Sequence, residues 1–92
     1  MATRVRVSYD KEGDVLHIDV AEPYAEQETD INDDWIVMRT NPKTGAVENV
    51  EIVGFSGRFH GLGDEIELPF SGEFWPVATG AAPRSLRAAA NE

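Results

Sequence analysis

The chain has 92 residues, 17 acidic and 8 basic, for a formal net charge of −9. That length suits one domain with little room for a second core, and the charge repels nucleic-acid phosphates and anionic membrane surfaces. The absence of cysteine excludes disulfides, thiolate nucleophiles and cysteine-ligated metals.

The opening Met-Ala-Thr-Arg-Val-Arg lacks the apolar run of a secretory signal, and no stretch approaches the roughly 18 apolar residues of a membrane span. A cytoplasmic protein is expected. Val5, Val7 and Tyr9 then alternate with Arg4, Arg6 and Ser8, the period of a strand with one face on a core. Residues 10–14 supply a turn, with Gly13 free to take a positive φ. The chain returns as a strand in which Leu16, Ile18 and Val20 form an apolar face, with Val15, His17 and Asp19 opposite. Glu22-Pro23 ends it, because proline donates no ladder hydrogen bond and holds its predecessor extended, so residues 21–25 are a connection.

Residues 26–31 are polar and weakly alternating, which suits an edge strand guarded by charge. After the turn Asn32-Asp33-Asp34, the run Trp35-Ile36-Val37-Met38 places Trp35 and Val37 on one side of a strand and Ile36 and Met38 on the other. Cover on both faces is expected there. Asn41-Pro42-Lys43-Thr44-Gly45 is a turn with Gly45 in the left-handed position, and residues 46–55 return as a further strand. Glycines interrupt residues 54–63. Ile66, Leu68 and Phe70 alternate with Glu65, Glu67 and Pro69 as a short edge strand, and Phe74, Trp75 and Val77 look like a plug over the sheet. Residues 78–92 read as a flexible tail or a frayed helix after Pro83.

The expected fold is thus mainly β: an antiparallel β-meander of five to six strands with a loop-rich C-terminal segment. The alternative is α+β with a short C-terminal helix. Residues 1–77 form the single domain. A domain of this size buries only about 60–65% of the surface of its unfolded chain, so a thin sheet needs a covering segment or a second subunit.

Val7-Ser8-Tyr9-Asp10, then Gly13-Asp14-Val15-Leu16-His17-Ile18, the acidic residues 26–30 and finally Ala46-Val47-Glu48-Asn49-Val50-Glu51-Ile52 form a recurring pattern. Over residues 4–59 it resembles a small bacterial family, domain of unknown function 2283. The chain departs from it in His17, where an aromatic such as Tyr is common, and in a longer tail. The resemblance implies a compact β-rich module and no reaction.

The chemistry-bearing residues are sparse. His17 and Asp19 share a strand face and, with Glu51 across the sheet, could form a metal site or an acid–base pair; a solvated polar face explains the same residues. Residues 30–34 alternate like a calcium loop, but Trp35 stands where that loop needs Gly and Asn41 where it needs a bidentate Glu. Ser56, His60 and Asp64 fall at intervals of four, yet the intervening glycines oppose the helix that would align them. No glycine loop or lysine suits a phosphate, and no cofactor is expected.

Trp35, Val37, Phe55, Phe70, Phe74 and Trp75 are many large apolar groups for a thin domain, and any left uncovered would mark an association surface. The leading expectation is a noncatalytic interaction module, homodimeric through an apolar sheet face. The alternatives are a small-ligand or metal-dependent enzyme built on His17, and an acidic accessory protein that binds a basic protein partner.

Overall fold

The computed structural model describes residues 4–59 and 64–77. Five strands form one antiparallel sheet: β1 Arg6–Asp10, β2 Val15–Asp19, β3 Glu28–Ile31, β4 Ile36–Thr40 and β5 Val47–Val53. A single 3-10 turn, Phe55–Arg58, follows. The mainly β antiparallel expectation holds. The spatial order is β1-β2-β5-β4-β3, so a β1–β2 hairpin joins a β3–β4–β5 meander through the β2/β5 pairing. The connection from β2 to β3 therefore crosses the width of two strands, at the sheet end where β2 finishes and β5 begins.

The register sorts side chains between two faces. The rows Val7–Ile18–Val50–Met38 and Tyr9–Leu16–Ile52–Ile36 make the apolar face. Ile36, Val50 and Ile52 are its buried centre, with Leu16, Ile18, Val47, Phe55, Ile66, Leu68 and Phe70 packed around them. Full burial of each of the three stabilises the fold by about 1.5–3 kcal/mol. The opposite face carries the rows Ser8–His17–Glu51–Val37 and Arg6–Asp19–Asn49–Arg39.

Local chemistry explains the turns. Gly45 takes the left-handed position at φ 78°, as its place after Asn41-Pro42 requires. Asn41 Oδ1 accepts the backbone N–H groups of Lys43 and Thr44 at 2.8 and 3.2 Å. In the β1–β2 turn the positive φ falls on Asp14, at 56°, instead of on Gly13. Gly13 serves close approach: a Cβ there would lie 2.8 Å from Asp10 Oδ2, whose partner Oδ1 accepts the N–H groups of Glu12 and Gly13.

Three expectations about the aromatic segments are corrected. Trp35 precedes β4, in the turn, at φ 61° and 64% exposed, because Asn32 Oδ1 gathers the N–H groups of Asp34 and Ile36 and forces a tight reversal. Only Val37 of that expected pair lies on a strand face, and it is buried. Residues 66–70 alternate between half-buried and exposed as expected but form no strand. They lie over the apolar face, where no free strand edge offers backbone partners. Phe74 and Trp75 do not plug the sheet; they are 83% and 78% exposed. The expected tail, residues 78–92, and its frayed helix lie outside the described residues.

Candidate functional site

The polar face brings His17 and Glu51 together as direct cross-strand partners, with Asp19 in the next row opposite Asn49. The carboxylates are already engaged. Arg39 Nη1 donates to Glu51 Oε2 across the β4/β5 pair, and Asn49 Nδ2 donates to Asp19 Oδ1 at 2.8 Å. Among the described residues no group of three His, Asp or Glu side chains is arranged to hold a metal ion. The sheet thus brings His17 beside Glu51, the carboxylate named for it from the sequence, while the ion pair of Glu51 with Arg39 was not foreseen.

Two polar networks missed by the sequence reading close the ends of the sheet. At one end Asp14 accepts the Tyr9 hydroxyl at 2.5 Å, the Ser56 N–H at 3.0 Å and the Ser56 hydroxyl at 2.8 Å. The Tyr9 hydrogen bond first, and those from Ser56 next, hold the Asp14 carboxyl below its usual range, while the same bond raises the Tyr9 phenol. Ser56 is thus a staple between the β1–β2 turn and the 3-10 turn. His60, which falls four positions after Ser56 in the spacing that the glycines opposed, lies outside the described residues.

At the other end, Glu48 accepts Tyr24 Oη at 2.7 Å, Gln27 Nε2 at 3.1 Å and Asn41 Nδ2 at 3.2 Å. These bonds, Tyr24's first, lower the Glu48 carboxyl, and the bond to Glu48 with some desolvation pushes the Tyr24 phenol up to about 12. Beside it Asn49, 1% exposed, donates to Asp19 Oδ1 and to the Ala21 carbonyl at 2.7 Å, and accepts Gln27 Nε2 at 2.7 Å. The whole cluster binds the β2–β3 crossover to the sheet. An asparagine inside an otherwise apolar-alternating strand was the available signal, since Asn is depleted in strands unless its amide has partners.

One concave feature of the described residues is apolar. A groove of about 480 Å³ runs between the end of the apolar face and residues 68–75, walled by Val5, Val20, Val47, Phe70, Phe74 and Trp75. Phe70 is half-buried against the core; Phe74 and Trp75 form the open lip. Along the adjoining edge, Val5, Val7 and Tyr9 are 42%, 65% and 41% exposed. Of the expected interface residues, then, Phe74 and Trp75 stand ready beside this groove. Phe55 is instead absorbed internally, 5.8 Å from the Tyr9 ring and 5.3 Å from Phe59, and Val37 is buried on the other face.

Trp35 is exposed at the far end of the sheet, where β4 starts, and belongs to a different surface. Among the described residues no helix is long and apolar enough to cross a membrane. No family model, curated protein or solved structure matches the chain.

Proposed function

We propose that this chain is a noncatalytic association module that pairs with a second copy through its apolar sheet face. One observation carries the reading: Phe74, Trp75 and Val5, at 83%, 78% and 42% exposure, line one apolar groove, and Val7, 65% exposed, follows Val5 along the β1 edge. Large exposed apolar groups scattered singly need no explanation, whereas a contiguous set marks an association surface. The carboxylates nearest His17 are engaged by Arg39 and Asn49, which favours association over chemistry on the polar face.

Size-exclusion chromatography with light scattering, carried into the high micromolar range, tests the reading. The expected mass is twice the 10.1 kDa of one chain, with Trp75→Ser and Phe74→Ser shifting the equilibrium toward the single chain. A protein that stays at the mass of one chain throughout overturns it.

A further inference from the structure

Resting on the part of that reading that pairs the chain with a second copy, we propose that the contact is made at the margin of the apolar face and not face to face: the second copy docks edge to edge on β1, antiparallel, in the register that sets Ser8 opposite the partner's Ser8. The two sheets then join into one of ten strands with both apolar faces on the same side. Among the described residues β1 has a strand neighbour on one side only, and all five of its residues are exposed. Its outer backbone groups are therefore a ready template for another strand.

The sequence of this edge complements itself. A twofold axis normal to the sheet at Ser8 places Arg6 opposite the partner's Asp10, and the symmetric pair repeats it. Val7 then faces the partner's Tyr9 on the apolar side. Opposite charges and an aromatic facing a β-branched residue are the favourable cross-strand pairs of antiparallel sheets. The present partner of Arg6 is Glu22, at 3.2 Å, in a pair whose two side chains are 49% and 88% exposed. Such a surface pair is weak, so Arg6 exchanges it for the interface at small cost.

The other open edge excludes itself. β3 carries Glu28 and Asp30 on one face, and an antiparallel copy centred on Thr29 would set each carboxylate opposite another. Like charges directly opposed destabilise pairing. Association through β1 therefore closes as a dimer and does not propagate through β3.

The absence of native cysteine makes the register directly testable. Directly opposed residues of an antiparallel pair have Cα atoms about 4.5–5.5 Å apart, within the range that a disulfide spans. Full-length Ser8→Cys is expected to form an intermolecular disulfide rapidly under mild oxidation. Val7→Cys, whose copies are offset in this register, and Thr29→Cys, on the other edge, should lag at least about tenfold. Arg6→Glu should raise the dissociation constant about tenfold, as two exposed pairs become repulsive.

If light scattering finds the dimer but Val7→Cys or Thr29→Cys links as fast as Ser8→Cys, the edge register is overturned while the association reading survives. A wild-type protein of single-chain mass overturns both. Rapid linking specific to Ser8→Cys together with a dimeric wild type supports both.

Discussion

The two open edges of the sheet make opposite use of charge. β1 mixes signs, with Arg6 at one end and Asp10 at the other, and lines its apolar side with Val7 and Tyr9. β3 is four residues long and places Glu28 and Asp30 together. A net charge of −9 says nothing of this division. The lesson is that net charge does not set the character of an edge: like charges at β3 oppose pairing with a copy of itself, whereas the opposite signs on β1 do not.

The largest expected effect falls on the crossover that carries the chain to the β3 edge. Asn49→Ala removes three hydrogen bonds, taking this partner from Asp19 and the Ala21 carbonyl and leaving Gln27 Nε2 with Glu48 alone. A loss of about 2–4 kcal/mol is expected from denaturant unfolding. Hydrogen exchange should show β3 amides losing protection ahead of those of β2. Equal loss across the sheet would mean that Asn49 does not separate the fates of the two edges.

A smaller change of the opposite sign is expected at the β3–β4 turn. Trp35 holds φ at 61° while 64% exposed, a conformation that costs a residue with a Cβ about 1–2 kcal/mol. Trp35→Gly relieves that cost and gives back part of it through the freer unfolded chain. A net gain of about 0.5 kcal/mol is expected, read as a rise in Tm; a fall would show that the indole contributes packing that its exposure hides.

The smallest effects come with pH, and they act at both sheet ends. Asp14 and Glu48 have lowered folded pKa values, so the unfolded chain takes up protons first. Their contribution is full above the usual carboxylate range and is lost as pH falls through and below about 4. Tyr24, raised to about 12, contributes fully below the ordinary tyrosine value of about 10 and loses that contribution as pH climbs toward 12. Glu48→Gln should flatten the acid limb for the crossover while leaving the share from Asp14 at the β1 hairpin. An unchanged acid limb in that variant would assign the whole effect to the hairpin end.

Much of the sheet was legible because strand parity is written locally. The alternation of Leu16, Ile18, Val50 and Ile52 gave the apolar face, and Asn41-Pro42 with Gly45 gave a turn. The charges of residues 26–31 gave an edge. Strand order was not legible, since parity assigns faces and is silent about neighbours; nothing in β5 announces that it lies beside β2. The positive φ of the β1–β2 turn falls on Asp14, while Gly13 is glycine for another reason: Asp10's carboxylate occupies the space that a side chain there would need.

The candidate site was half legible. Phe74 and Trp75 were picked out by bulk, but whether they cover their own sheet or project from it depends on how residues 66–70 lie across the face. That path is set by side chains distant in sequence. Asn49 escaped attention because its partners Gln27, Ala21 and Asp19 lie 22, 28 and 30 positions away, beyond the reach of local alternation.

The β2/β5 junction also governs how the chain must fold. Its contacts are long-range, Asn49 and Asp19 being 30 positions apart, whereas the β1–β2 hairpin and the β3–β4–β5 meander each close over short loops. Closing the longer loop forfeits chain entropy before any ladder bond compensates for it. Two locally formed halves therefore have to find each other, and the speed of maturation is set by that encounter along a single seam.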